Sequence, residues 1–355
     1  MIRYSPLALA ICMASTHAVA LEQCEFHFNG FGTAGISRLG GADDALGFGS
    51  SGQTTDSWRG DQLSKLAAQF QYGLTDKLGV TAQVVTKAEQ DSWDVNLEWL
   101  YLAYQMNDQL TVRAGRLRPA MFLFSETLDV GYSYPWLRLP EEAYGLVQVS
   151  NYEGADALYS LPLSFGRLNF QASYGNAVNR ELYSAVVDER WDMDLKGNMV
   201  GSVSLDTNNA GTFRYSYSEV DLGINKMPAS KTKFVSLGYR FDNGTWVTNA
   251  ETVSRRVDGL GTDHAFYVMA GRRFGDFLPH LTYAQADKLH GGRQASWTYG
   301  LNYNLTANVT LKGEYKRVDV TKADEGYLGV FVPAYNTFNP TFDGDVVSIG
   351  ADFVF

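Results

Sequence analysis

The sequence predicts an all-β fold: a closed, antiparallel, up-and-down β-barrel of about 16 strands that spans a membrane. Three observations lead there. In the last eleven residues Val347, Ile349, Ala351, Phe353 and Phe355 share one parity, while Ser348, Gly350 and Asp352 fall on the other. A period of two places these sets on opposite faces of a strand, apolar outward and polar inward, as a tilted membrane-spanning strand requires. Composition agrees: 45% of residues are hydrophobic and 14% aromatic, with 35 glycines, yet mean hydropathy is only -0.20. Beyond the first twenty residues no uncharged apolar run approaches the ~18 residues of a membrane helix. Finally, the alternating segments are separated by short and long connections in turn. In lipid such a sheet has to close, because an open edge would leave backbone groups unpaired.

Element by element, residues 1–20 read as a secretory signal peptide, with Arg3 as basic start, an apolar stretch and Ala18-Val19-Ala20 as cleavage site. The mature domain is 21–355. Removing the signal takes away Cys12, which leaves Cys24 alone and no intramolecular disulfide. It also takes away Arg3, so the net charge of -10 becomes about -11. Five strands are predicted at 26–38, 63–72, 80–87, 95–105 and 110–115. In the second of these, Leu66, Ala68, Phe70 and Tyr72 oppose Lys65, Gln69 and Gln71. The rhythm then breaks over 116–147. It resumes with strands at 152–160 and 167–175, a charged loop at 176–196, and strands at 199–205, 212–220, 233–241, 246–254, 264–272, 280–286, 295–304, 309–316 and 345–355. Asp242-Asn243-Gly244 marks a hairpin turn. The eight mature prolines (119, 135, 140, 162, 228, 279, 333 and 340) all fall in predicted loops or turns, as a residue without a backbone donor should. Trp99, Tyr101, Phe213, Tyr215, Tyr217, Tyr239, Phe241, Trp297, Tyr299 and Tyr303 are placed as a membrane-interface girdle.

The break at 116–147 is about thirty residues without strand periodicity, rich in aromatics and in both charge signs. A loop this apolar is more stable folded inward than displayed in water. At this point the chain resembles the Gram-negative trimeric porins, in which the third long loop, after the fifth strand, folds into the barrel as a constriction. The terminal Phe355 likewise resembles the assembly signal of outer-membrane proteins. The resemblance is architectural: the loop lacks the short acidic signature of the enterobacterial general porins, and the second loop (90–94) is short for their trimer latch. It implies the cell outer membrane of a Gram-negative bacterium, a homotrimer, lipid and lipopolysaccharide as surroundings, no nucleic acid and no cofactor.

With the apolar parity outward, Lys65, Lys87, Arg113, Arg214, Arg240, Lys312 and Lys316 fall on the lumen wall, opposed by Glu98, Glu251, Glu314 and Asp352. The loop offers Glu126, Asp129, Glu141 and Glu142, with Arg116, Arg118 and Arg138 at its ends. Acidic loop against basic wall sets up a transverse field that favours polar solutes. Alternatively, the same charges pair and fasten the loop to the wall. Exposed loop acids (Asp43, Asp44, Asp188, Glu189, Asp324 and Glu325) form a solvated rim.

Signals of catalysis are weak. Gly30-Phe-Gly-Thr-Ala-Gly35 matches a dinucleotide glycine pattern but runs through a strand, where glycine instead allows curvature or close packing. The mature histidines (27, 264, 280 and 290) have no metal-ligand spacing, and no nucleophile elbow is present. The expected function is a passive diffusion channel for ions and small hydrophilic solutes. The alternatives are a substrate-selective channel for sugar, anion or aromatic acid, with Phe122, Phe124, Tyr132, Tyr134 and Trp136 as its slide, and a closed-barrel enzyme or adhesin.

Overall fold

Strand periodicity is realised around a closed ring. The computed structural model describes residues 23–41, 45–49, 53–89, 92–147, 149–184, 189–225, 227–287, 292–321, 329–333 and 342–355. The expected signal peptide and the loop acids Asp43, Asp44, Asp188, Asp324 and Glu325 lie outside them. Strands β1 (Phe26–Gly40), β2 (Ala45–Phe48), β3 (Lys65–Gly73), β4 (Leu78–Glu89), β5 (Ser92–Gln105) and β6 (Leu110–Leu117) precede the long loop. After it come β7 (Tyr152–Leu163), β8 (Gly166–Ser184), β9 (Glu189–Thr207), β10 (Thr212–Ile224), β11 (Ser230–Asp242) and β12 (Trp246–Val257). The chain ends with β13 (Gly261–Arg272), β14 (Phe277–Asp287), β15 (Arg293–Asn304), β16 (Val309–Thr321), β17 (Phe331–Pro333) and β18 (Phe342–Val354). All but β2 and β17 join one barrel, each antiparallel to its neighbour, and β1 closes against β18 from Phe31↔Val354 to Gly40↔Asp345. This is the 16-strand closed barrel that the alternation predicts.

The parity of each strand sorts its side chains as expected. Leu66, Leu102, Tyr215, Leu237, Leu301 and Ile349 are exposed on the outer face, where lipid replaces water. Gln69, Thr81, Ser216, Ser236, Thr282 and Asp352 face inward, and the Gln83 amide donates to Gln69 Oε1 at 2.8 Å across β3 and β4. The glycines of the dinucleotide-like pattern serve the seam. A Cβ on Gly30 would lie 2.2 Å from the Phe355 ring and one on Gly32 would lie 2.5 Å from that of Phe353, so both positions must be bare for these rings to cover β1.

Four expectations need correction. The charged segment 176–196 is not a loop: β8 and β9 run through nearly all of it as a tall hairpin, with register shifts at Gly175/Ala177 and Ala177/Arg180. Its charges satisfy each other as strand neighbours (Arg190 with Glu181, 3.1 Å), so a high charge density did not break the ladder. Pro333 closes the short β17, and Pro162 and Pro279 lie within β7 and β14. Each of the latter two sits where one neighbour has already run out, since β6 pairs with β7 only as far as Tyr159 and β13 with β14 only from His280. The missing donor therefore costs no ladder bond. Trp99 and Tyr101 are buried on the lumen face, whereas Phe213, Tyr215, Tyr217, Trp297 and Tyr299 are exposed outside as expected of a girdle. Finally, β2 and β17 form an unforeseen two-stranded ribbon at the long-loop end. Its Phe48 and Phe331 meet edge to face at 5.3 Å and pack with Leu39, Val318, Val320 and Val346.

Candidate functional site

The segment between Leu117 and Tyr152 enters the barrel and touches its wall nearly all the way round. Pro119 stops β6 by removing a donor, and the chain proceeds in single turns: 3-10 turns at Ser125–Thr127 and Gly131–Ser133 and an α-helical turn at Glu141–Tyr144. Ser125 Oγ accepts the Met121 and Phe122 amides at 3.0 and 2.8 Å, which holds the first bend.

The apolar side of this loop is the core of the molecule. Phe122 stacks on Tyr144 (4.6 Å between centroids) and meets Phe234 edge to face, while Trp136 meets Tyr267 edge to face at 5.5 Å. Met121, Leu123, Leu139 and Leu146 join Val253, Ala265, Met269, Ala284 and Ala286 of the wall in the same cluster. Trp136 Nε1 also donates to Thr282 Oγ1 at 2.8 Å. Phe122 and Trp136 are thus sealed in packing and form no slide; Phe124, Tyr132 and Tyr134 border an open chamber below the loop.

The charges join loop to wall directly. Arg214 of β10 holds Glu126 by two bonds of 2.7 Å. Arg118 reaches Asp129 at 2.5 Å and Glu98 of β5 at 3.0 Å. Lys316 lies 3.5 Å from Glu141 and 3.3 Å from Glu142, and Arg138 donates to Gln62 Oε1 at 2.8 Å. Lys312 donates to the carbonyls of Gly131, Tyr134 and Trp136 at 2.8, 2.6 and 2.9 Å, with Asp352 at 2.6 Å. Burial opposes ionisation of Asp129, but Arg118, Lys87 and Lys65 outweigh it and hold the carboxyl below the usual carboxylate range. Glu126 beside Arg214 and Glu142 beside Lys316 are lowered against burial in the same way.

Wall acids capture loop donors. Glu251 accepts the Leu123 amide (2.8 Å), Ser236 (2.6 Å), Tyr144 (2.9 Å) and Tyr267 (3.2 Å), and Glu314 accepts the Leu137 amide at 2.7 Å. At Gly131 the contact is so close that a Cβ would lie 2.2 Å from Asp352 Oδ1 and 2.8 Å from Thr33 Oγ1.

The structure therefore brings Arg118, Glu126, Asp129, Arg138, Glu141, Glu142, Arg214, Lys312 and Lys316 together as fasteners. Arg113 is neutralised by a neighbour that sequence reasoning missed: Asp156 of β7 accepts from its Nε and Nη2 at 2.9 and 2.5 Å. Asp156 lies directly across the strand pair from Arg113, a relation visible only once the register over the long loop is known. Among the described residues Lys65 makes only a long contact of 3.5 Å to Tyr134 Oη, and Lys87 lies 3.8 Å from Glu98. Arg116 departs from expectation. Three residues beyond the inward Arg113, it falls on the opposite parity of β6, pairs beside the outward Leu100 and bonds to Glu153 at 2.8 Å on the outer face.

The sequence matches a family model described as Gram-negative porin over residues 7–323. No curated protein sequence matches it. Among solved structures it is similar to the anion-selective porin from Comamonas acidovorans, at 15% identity and TM-score 0.61, covering 94% of this chain and 100% of that one. It is similar to Salmonella typhi OmpF, solved in complex with daunomycin, at 13% identity and TM-score 0.63, covering 94% and 98%. The trimer form of in-vitro folded OmpT from Vibrio cholerae gives 12% identity and TM-score 0.57, covering 94% and 100%.

Proposed function

The chain belongs to the Gram-negative porin family and is an outer-membrane porin; from that premise we propose that it is a passive diffusion channel for ions and small hydrophilic solutes. The observation that carries this reading is the loop between Leu117 and Tyr152, pinned inside a closed barrel so that solutes are confined to the polar space beside it. Arg118, Glu126, Asp129, Arg138, Glu141 and Glu142 then act on permeation by fixing the loop edge, and so the width of the passage. Arg113 is a rigid wall element, and Lys65, Lys87 and Arg240 are the cations a solute meets. Because the loop acids are matched to wall bases at contact distance, the field across the passage is local, and size is the main filter.

No catalytic step is assigned to the barrel. Residues 1–20 serve as the export signal, and 21–355 is the mature channel. The trimer form known for Vibrio cholerae OmpT supports a homotrimer here. The exposed apolar belt suits lipid, with lipopolysaccharide at the long-loop rim. The test is to refold 21–355 and record single-channel currents in a planar bilayer. Ohmic steps, arriving in threes for a trimer, are expected; a folded, heat-modifiable barrel that passes no current refutes the channel.

A further inference from the structure

Beneath the loop, toward the short turns, lies a chamber of about 460 Å³. One part of its lining is apolar, from Phe124, Pro135, Val247 and Leu278. The other part is polar, and its basic groups are not equivalent. Arg273 is held by Asp242 at 2.5 and 2.7 Å, and Lys312 is enclosed by carbonyls and Asp352. Arg240 differs: among the described residues its guanidinium has no hydrogen bond or ion pair, the Phe124 ring lies 6.0 Å from its central carbon, and the carboxylates of Asp206, Asp242 and Glu126 act on it only from beyond contact distance.

Directly opposite Arg240 in the β11–β12 register stands Asn249. The residue is 1% exposed and lines the chamber, and its Oδ1 has no partner among the described residues. Asn302, also on the lining, uses its amide to donate to the Pro135 carbonyl at 2.8 Å and leaves Oδ1 unpartnered. Unsatisfied amides this deeply placed are uncommon in packed protein, and they destabilise the fold unless something bonds to them.

We infer that this chamber is a binding subsite for an aromatic carboxylate, with Arg240 and Asn249 holding the carboxylate and Phe124 and Leu278 bordering the ring. Cross-strand neighbours present their side chains side by side, so one carboxylate can accept from the guanidinium and from the Asn249 amide together. Chamber charge favours this class, since the other bases are already compensated and Arg240 supplies one positive charge. An apolar border beside one charge selects an anion with a flat body over chloride or a sugar. The unpartnered Asn302 oxygen provides an acceptor for a ring hydroxyl. The inference rests on the channel reading, and makes that channel one that retains a particular solute class in transit.

The test uses the refolded channel in a planar bilayer, with sodium benzoate as probe, sodium acetate as charge without a ring, and benzyl alcohol as ring without a charge. Benzoate is expected to block the current at a concentration at least about tenfold below either control. Arg240→Gln should raise the half-blocking concentration by roughly ten- to a hundredfold, the usual loss for a charge-assisted hydrogen bond. Arg240→Lys should retain most of the block. Equal block by benzyl alcohol, or an Arg240→Gln channel blocked like the parent, overturns the subsite. Isothermal titration of benzoate into the detergent-solubilised barrel reads the same site without any current. Binding to a silent barrel would therefore sink the channel and keep the subsite, and an ohmic channel that ignores benzoate would do the reverse.

Discussion

Replacing Lys312 by methionine should free the inner loop from the wall. The ammonium gathers three loop carbonyls, at 2.8, 2.6 and 2.9 Å, and faces Asp352 at 2.6 Å, with both side chains essentially inaccessible to solvent. Methionine keeps the length of the stem but removes every one of these bonds, and it leaves Asp352 with only Thr33 as hydrogen-bond donor, at 2.5 Å. Taking one partner from a buried pair costs about 3–5 kcal/mol. A central ~4 kcal/mol shifts the docked-to-undocked ratio of the loop by nearly a thousandfold. The barrel itself should persist, because its ladder does not involve the Lys312 side chain. The expected phenotype is a folded, heat-modifiable barrel with noisy currents, new conductance levels and protease cleavage between 119 and 147. Adding Asp352→Asn removes the orphaned charge and should recover part of the lost docking. If Lys312→Met retains parental conductance, noise and protease resistance, the ammonium does not hold the loop and the fastening argument fails at its centre. If the second substitution gives no recovery, Lys312 and Asp352 are not energetically coupled.

Acid should release the same loop by another route. Glu126, Asp129 and Glu142 have folded values below the unfolded ones, so their contribution is complete above about pH 5 and is lost progressively as pH falls from the unfolded values through the depressed ones; single-channel currents should stay steady from pH 8 to 5 and break into closures below about pH 4. Gly131→Val places side-chain atoms against Asp352 and Thr33, and should undock the loop at least as severely as Lys312→Met, read by the same proteolysis. Arg116→Gln, on the outer face, should leave conductance and ion selectivity unchanged, whereas a shifted reversal potential would return Arg116 to the lumen.

The barrel was legible because each strand carries its own periodicity: Leu66 against Lys65 and Ile349 against Ser348 need no distant information to be assigned to faces. What was lost is whatever depends on register or on where a strand ends. Arg116 was assigned to the pore as one end of the inward loop, but β6 continues to Leu117 and its regular alternation turns Arg116 outward, opposite to Arg113. Trp99 and Tyr101 look like interface aromatics in sequence, yet Arg118 and Arg113 lie over their rings, 5.9 and 5.1 Å away, inside the barrel. Loop-to-wall pairing was legible only as composition. Glu126 and Arg214 could be recognised as opposite charges, but nothing local says that the loop brings them to 2.7 Å. Ser236, Tyr267 and Gln294, whose amide donates to Glu142 Oε1 at 2.8 Å, carried no signal at all, being ordinary polar or aromatic residues of strands.

The inward loop does for this barrel what a second sheet does in a soluble sandwich. Sixteen strands enclose more space than wall side chains can fill, so the core has to come from elsewhere in the chain. Phe122, Trp136 and Tyr144 supply it, packed on Phe234, Tyr267 and Met269 of the wall. Glu251 shows how firmly the arrangement is specified: a buried carboxyl group with no ion pair among the described residues is sustained by four donors, two from the loop and two from the wall. Such a group is costly unless all its partners are in place, so it disfavours partly docked loops more than it strengthens the docked one. Permeation and folding are then coupled through the same residues. Substitutions at Glu251 or Trp136 should change conductance together with thermal stability. A change at Arg240, which holds nothing in place, should alter solute handling alone.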